Sequence, residues 1–160
     1  MRKIWKKINS FYLLNGKELT DKLIKKGYII SPWIIDVIKK KKFSHKKYNF
    51  PILLYKLNLR KDLNIRRPIK LINLYNKIKK KNFSLVEPEI AIFSRMLYKK
   101  QPSGEWLRFA TDLNSMIDTD GIPHLPKLGA GLGKKFVETY WAYPDAIFHP
   151  HNDFIVSLKK

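Results

Sequence analysis

The chain has 160 residues, of which 44% are hydrophobic and 13% aromatic, so it can bury a core of its own and is not a disordered basic tail. It carries 33 Lys and Arg residues against 13 Asp and Glu residues, and a formal net charge of +20 is typical of proteins that bind nucleic acid or another anionic surface. The lack of cysteine excludes disulfides, thiolate metal ligands and cysteine nucleophiles.

The positive charge is concentrated in the first two-thirds of the chain. Residues 1–100 carry 27 basic and 6 acidic residues, whereas residues 101–160 carry 6 basic and 7 acidic residues. Because we find no internal repeat and no Gly/Ser-rich linker, we predict a basic arm or helix over 1–16 followed by a single domain over 17–160. Within this domain, residues 17–100 are expected to face the partner and residues 101–160 to form a near-neutral globular part.

Apolar spacing and capping residues predict helices through most of the first hundred residues. Gly27 marks the end of the first helix, and Ser31 is an N-cap before the proline that opens the second. Ser84 and Glu87 fit the capping box of a later helix, while residues 52–55 are apolar enough for a short buried strand. The predicted helices span 17–26, 32–42, 68–81 and 84–98.

The C-terminal third is predicted to hold two more helices and a hairpin. One helix is expected after Ser103, with apolar residues from Trp106 to Ile117, and another over about 134–142, with an extended loop over 123–129 between them. Residues 146–158 indicate two short strands around a turn. The predicted fold class is therefore mainly α (α+β): a compact helical domain with a short C-terminal β-hairpin and a basic N-terminal arm. No apolar run approaches the roughly 20 residues of a membrane-spanning helix, so no transmembrane segment is predicted.

Residues 39–81 hold sixteen Lys and Arg residues and a single acid, Asp62; we call these sixteen cations the basic belt. Charge of one sign at this density destabilises a compact monomer unless a polyanion neutralises it, and a phosphate backbone does so. We therefore predict that the belt binds RNA, with Arg66 and Arg67 forking onto phosphate oxygens. The cations predicted to contact RNA are Lys39, Lys40, Lys41, Lys42, Lys46, Lys47, Arg60, Lys61, Arg66, Arg67, Lys79, Lys80 and Lys81, together with Lys134 and Lys135 outside the belt.

Aromatic residues alternate with the charges of the belt. Tyr48, Phe50 and Tyr55 are candidates for stacking on unpaired bases, because every base offers a flat face to an aromatic ring.

A glycine-rich segment precedes the predicted helix over 134–142. Gly129, Gly131 and Gly133 would let backbone amides approach a phosphate, and Lys134 and Lys135 would favour the anion. The segment is not a P-loop, because Lys135 stands where Ser or Thr should follow the lysine. A phosphate nest and a structural turn that needs positive φ are both open interpretations, and the turn is favoured.

His149, His151 and Asp153 are the candidates for a metal site. Alternate residues of a strand lie on one face, so the two imidazoles could share a cation with the carboxylate. Pro150 and Asn152 are turn formers, however, and a hairpin loop accounts for the same residues. We therefore predict no metal and no cofactor.

These patterns predict a non-enzymatic, RNA-binding structural protein of a ribonucleoprotein particle, most specifically a ribosomal protein. Its partners would be rRNA and neighbouring proteins of the assembly, in a mitochondrion or another organelle, or else in the cytoplasm. Two alternatives stay open. One is an accessory subunit of a large organellar membrane-associated complex, whose cations meet acidic proteins or lipid head groups. The other is a small metal-dependent nuclease or toxin that uses His149, His151 and Asp153.

Overall fold

A mixed β-sheet of eight strands forms the centre of the computed structural model, which describes residues 2–158. The strands are β1 (Ile4–Ile8), β2 (Ile29–Ile30), β3 (Ile52–Asn58), β4 (Ile69–Lys70), β5 (Phe83–Ser84), β6 (Trp106–Phe109), β7 (His124–Gly131), β8 (Lys134–Trp141), β9 (Ile147–Phe148) and β10 (Asp153–Leu158). The α-helices are α1 (Gly16–Lys25), α2 (Pro32–Ile38), α3 (Leu59–Leu63), α4 (Leu71–Lys80) and α5 (Pro88–Leu97). The chain contains more strand (32%) than helix (29%), so the prediction of a mainly helical domain is wrong.

The strand order in the large sheet is β1-β3-β10-β6-β7-β8-β2, and β5 pairs with the far end of β10. β10 runs parallel to β6, and β2 runs parallel to β8, while the remaining neighbours are antiparallel. A separate two-stranded sheet joins β4 to β9. Sequence-distant strands therefore meet throughout the sheet.

Hydrophobic residues pack on both faces of this sheet, because alternate residues of a strand point to opposite sides. Leu54 of β3 belongs to one buried cluster with residues of α1, α2 and α5, and we call this side the first face. Tyr55, the next residue, belongs to a second cluster with residues of α3 and α4, and we call this side the second face. The central strands are thus apolar in both directions, as expected of a sheet covered by helices on two sides.

Local signals predicted the early helices well. α1 begins one residue before its predicted start, and Ser31 caps α2 as predicted, its hydroxyl accepting a hydrogen bond from the backbone N–H of Trp33 at 3.2 Å. The strand predicted over 52–55 is confirmed and continues to Asn58. α2 ends at Ile38, and α4 begins only at Leu71 because β4 takes the two residues before it.

The prediction of a capping box at residues 84–87 is wrong. Ser84 lies in β5, and the helix α5 begins at Pro88 with Glu87 in the N-cap position and no side-chain cap.

The helices predicted around 106–117 and over 134–142 are wrong, and so is the loop over 123–129. These segments contain the strands β6, β8 and β7. Apolar residues on both faces of a covered strand produce runs that mimic helical spacing, while the β-branched and aromatic residues of β8, such as Val137, Thr139 and Tyr140, favour a strand.

The predicted C-terminal hairpin and N-terminal arm are also wrong. Strands do form on both sides of residues 149–152, but β9 pairs with β4, and β10 pairs with β3, β5 and β6. Residues 4–8 form the edge strand β1, antiparallel to β3. Met1, the first residue of the predicted arm, lies outside the described residues. Among residues 2–158, no helix has the length and apolarity needed to cross a bilayer.

Candidate nucleic-acid interface

The neighbouring strands β6, β7 and β8 present different chemistry on their two faces. On the first face, the paired residues Leu107, Leu128 and Val137 are fully buried in the same cluster as α5. On the second face, beside the fully buried Leu125 and the acid Glu138, which pairs with Lys127, the same strands carry a set of partly buried or exposed aromatic and cationic residues. We call this set the aromatic–cationic face; it consists of Trp106, Arg108, Lys127, Phe136 and Tyr140.

A glycine provides the space for the largest ring of this face. Gly129 pairs with both Trp106 and Phe136 across the strands, and a Cβ at Gly129 would lie only 2.2 Å from the indole ring. The indole is nearly parallel to the ring of Phe136, with 6.4 Å between the ring centroids and 28° between the planes. Trp106 nevertheless keeps 37% of its surface exposed. Gly129 is therefore needed for close packing by Trp106.

Two cations lie between the rings. The Nζ atom of Lys127 is 4.6 Å from the ring centroid of Trp106 and 5.7 Å from that of Tyr140. The guanidinium carbon of Arg108 is also 5.7 Å from the Tyr140 centroid. These distances allow cation–π attraction. Neither cation forms an ion pair with a carboxylate of the described chain.

The positive charge of this face is only partly compensated. Burial lowers the pKa of Arg108. Burial and the neighbouring Arg108 lower the pKa of Lys127, and the carboxylate of Glu138 offsets part of that shift. The Nε atom of Arg108 is buried and has no hydrogen-bond partner within residues 2–158. An anion that reached these groups would offset their desolvation, so the site favours a negatively charged ligand.

The basic belt is not one continuous surface. Residues 39–47 follow α2, which packs on the first face, and here two lysines are engaged by a buried carboxylate. Lys47 Nζ lies 2.7 Å and Lys41 Nζ 3.5 Å from the oxygens of Glu89, and Tyr48 donates its hydroxyl to the same carboxylate. Burial alone would raise the pKa of Glu89, but the hydrogen bonds from Lys47 and Tyr48 hold it below its ordinary value. Lys41 and Lys47 thus have a structural role.

The other part of the belt lies with α3 and α4, which pack on the second face. Its predicted RNA ligands are all exposed: Arg60, Lys61, Arg66, Arg67, Lys79, Lys80 and Lys81. The backbone N–H of Arg60 donates to the carbonyl of Pro150 at 2.9 Å, so α3 adjoins the loop between β9 and β10. This half of the belt shares the second face of the sheet with the aromatic–cationic face.

The three predicted stacking residues have different surroundings. Tyr55 is only 7% exposed and packs beside Phe83, so its ring is not available to a base. Tyr48 is half-buried, bonded to Glu89 and packed against Phe11. Phe50 alone of the three is exposed.

Trp106, Phe136 and Tyr140, with Arg108 and Lys127, were missed by sequence reasoning. Along 106–109 and 136–140, residues of the two faces alternate, and this alternation identifies them only when these segments are read as strands.

The glycine-rich segment forms the β7–β8 hairpin. Gly131 pairs with Lys134, and Leu132 and Gly133 between them have φ values of 52° and 72°, as in a type I′ turn. No helix follows, so the helix N-terminus expected for the phosphate nest is absent from the described segment, and the turn interpretation is confirmed at Gly133.

Lys134 and Lys135 line a cleft of about 300 Å³; its other lining residues are Lys26, Gly27, Tyr28, Lys99 and Gly133. Lys26 and Lys99 were not predicted to lie here.

The histidine segment does not assemble a metal site. The rings of His149 and His151 stack on each other, with centroids 5.8 Å apart, and both residues are exposed. Asp153 instead accepts a hydrogen bond from the Asn58 amide at 2.8 Å and lies 3.5 Å from Lys56 Nζ. In residues 2–158, no three His, Cys, Asp or Glu side chains are grouped so that they could hold a metal ion.

Another histidine forms a buried pair. His124 Nε2 lies 2.8 Å from the carboxylate of Asp118, and both side chains are 2% exposed. The hydrogen bond with His124, with further bonds from the N–H groups of Ile122 and Asp120, lowers the pKa of Asp118. Trp33 stacks over the imidazole at 6.1 Å. These contacts hold the loop over 118–123 against the first residue of β7.

No protein-family model, curated protein or solved structure matches this chain.

Proposed function

We propose that this protein binds single-stranded RNA as a non-enzymatic structural component of a ribonucleoprotein particle, most specifically a ribosome. The observation that carries this proposal is the aromatic–cationic face, where three rings and two cations lie together on a partly open side of the sheet. Aromatic residues on a sheet surface suit RNA because splayed bases stack on them while cations contact the phosphates.

The choice of a single strand follows from the chemistry of the face. Bases within a duplex are already stacked on each other, so their flat faces are not accessible to Trp106 or Phe136. Unpaired bases are accessible, and stacking on rings tolerates any sequence. We therefore expect the protein to bind single-stranded RNA with little sequence preference.

The exposed cations of α3, α4 and the loop between them support the same face electrostatically. Arg60, Arg66 and Arg67 form no ion pair with a carboxylate in the described chain, and the whole chain carries a net charge of +20. Binding that depends on such cations weakens steeply as salt rises, because neutralised phosphates release counterions.

Binding of a labelled, unstructured 20-mer RNA tests this proposal. We expect the double variant Trp106→Ala/Lys127→Gln to lower the affinity about 10- to 100-fold, because base–aromatic stacking is worth ~1–3 kcal/mol per base. A matched control is Trp141→Ala, which removes another exposed tryptophan, on the first-face side of β8. Its affinity should stay within about twofold of the unaltered protein.

A second pair of substitutions in the same binding experiment distinguishes base stacking from general electrostatic attraction. Replacing Arg66 and Arg67 by Gln should weaken binding to single-stranded RNA and duplex alike, and lower the salt slope by about one per lost phosphate contact. The Trp106→Ala/Lys127→Gln variant should lose single-strand binding preferentially. Equal loss for Trp106→Ala/Lys127→Gln and Trp141→Ala, or tighter binding to duplex than to single strand, would contradict the proposal.

A further inference from the structure

A cavity of about 590 Å³ lies near the end of β3, where β1, α3 and the end of α5 meet. Its volume is within the range of small-molecule and cofactor sites. It shares no residue with the aromatic–cationic face. Its lining residues are Lys3, Ile4, Trp5, Lys6, Lys56, Asn58, Lys61, Asp62, Tyr98 and Asp153.

A bulge in the edge strand shapes one wall of the cavity. The pairing of β1 with β3 shifts between Ile4 and Lys6, so that Trp5 stands opposite no residue of its own. Such a bulge lets successive side chains leave the strict alternation of a strand. Trp5 packs against the first-face cluster, and Lys6 Nζ lies 5.8 Å from its ring centroid and 5.3 Å from that of Tyr98. The wall therefore combines two rings with a cation.

The carboxylates of the cavity are already engaged by neighbouring groups. Asp62 accepts the backbone N–H of Asn58 at 2.6 Å, and Asp153 accepts the Asn58 side-chain amide at 2.8 Å. Lys56 bridges Asp153 and Glu105, at 3.5 Å and 3.0 Å. This network ties together the acids of the cavity and one of its four lysines.

The other three lysines form no ion pair in the described chain, and they outnumber Asp62, the one lining carboxylate that no lysine contacts. Lys3, Lys6 and Lys61 come from β1, the residues before it and α3, and within residues 2–158 none of them forms an ion pair. Three ammonium groups that line one cavity from two elements repel each other, and a bound anion would relieve that repulsion.

We propose that this cavity binds a nucleoside phosphate, with the phosphate held by Lys3, Lys6 and Lys61 and the base packed near Trp5 and Tyr98. The ligand is either a free nucleotide or the 5′-phosphorylated terminal nucleotide of an RNA, because the two offer the same chemistry. The inference goes beyond RNA binding by the aromatic–cationic face and does not depend on it.

Isothermal titration of the full chain with AMP tests the site. We expect saturable binding of AMP, with ribose 5-phosphate at least tenfold weaker because it lacks the base. The variant Lys6→Gln/Lys61→Gln should bind AMP at least tenfold more weakly. Lys7→Gln is the matched control, because Lys7 adjoins Lys6 but pairs with Leu53, a residue that packs on the second face. Its AMP affinity should stay within twofold.

The two sources of the ligand are distinguished with short RNA oligomers. Tight binding of a 5′-phosphorylated tetramer but not of its 5′-hydroxyl form would assign the site to an RNA terminus, and binding of AMP alone would assign it to free nucleotide. The Trp106→Ala/Lys127→Gln variant should retain AMP binding, so failure of the RNA interface leaves this result intact. Absence of saturable binding for AMP and for the phosphorylated tetramer at millimolar concentration, or equal losses for Lys7→Gln and Lys6→Gln/Lys61→Gln, would overturn the proposal.

Discussion

The two faces of β6, β7 and β8 share one backbone but differ in the chemistry and the exposure of their side chains. On the first face, aliphatic side chains are sealed beneath α5, and on the second face, rings and cations remain partly open. α3 and α4 contribute to the cluster on the second face that includes Leu57 and Phe154, residues of β3 and β10. The two faces therefore differ both in the chemistry of their side chains and in how far helices cover them, and the second face of these strands is the one available to a ligand.

Two arginines illustrate the contrast. Arg95 of α5 is fully buried and donates to the carbonyls of Gly129 and Tyr98, at 3.0 Å and 2.6 Å, and to the side chain of Gln101 at 2.6 Å. Burial lowers its pKa to about 10, so it stays charged at neutral pH. The buried Nε atom of each arginine has no hydrogen-bond partner in the described chain. Arg108, on the second face, differs in being only half-buried, with its guanidinium beside the ring of Tyr140. Arg95 holds the covered face together, and Arg108 is available to an anion.

The largest expected effect comes from exchanging these arginines for glutamine. Arg95→Gln should lower the free energy of unfolding by roughly 3 kcal/mol, because buried carbonyls lose their donor. Arg108→Gln should change it by less than about 1 kcal/mol yet weaken RNA binding several-fold. Urea denaturation and RNA titration of both variants measure this. A reversed pattern, with Arg108 critical for stability, would break the comparison between the faces.

Gly129→Ala should have an intermediate effect. The added methyl group must displace the indole of Trp106, since it would lie 2.2 Å from the ring. We expect RNA affinity to fall about tenfold, in line with the loss of one stacked base, and stability to fall by ~1–2 kcal/mol through overpacking.

Gly131→Ala is the control for this change. No atom beyond the neighbouring residues lies within 4 Å of a Cβ there, so binding and stability should hardly change. Unchanged RNA affinity in Gly129→Ala would show that the position of the Trp106 indole against Gly129 does not contribute to RNA binding.

The smallest effect is expected at the turn between the strands. Leu132 is 97% exposed and has a φ of 52°, a conformation that costs a branched side chain about 1–2 kcal/mol. Leu132→Asn should raise the melting temperature by about 2–4 °C, because Asn-Gly is the preferred type I′ pair. Leu132→Val should lower it. RNA affinity should not change in either variant, because the residue lies outside the aromatic–cationic face; a loss would place the turn in the interface.

Signals that span only a few residues were legible in the sequence. The Ser31 cap, the apolar stripe of α1 and the apolar run of β3 depend on neighbours in the chain, and each forms close to where it was predicted. The charge asymmetry was equally plain. The aromatic–cationic face could not be predicted, because Trp106 and Phe136 were assigned to helices and their proximity depends on the pairing of both strands with Gly129.

The sequence by itself determined the caps, the early helices, the strong excess of cations and the glycine turn, because each depends on local backbone preference or simple composition. Only the tertiary structure decided that 106–109 and 134–141 are strands, that Glu89 engages part of the belt, and that one sheet face stays partly open. Pairing between distant strands and coverage by helices are long-range contacts, and residue spacing alone does not specify them.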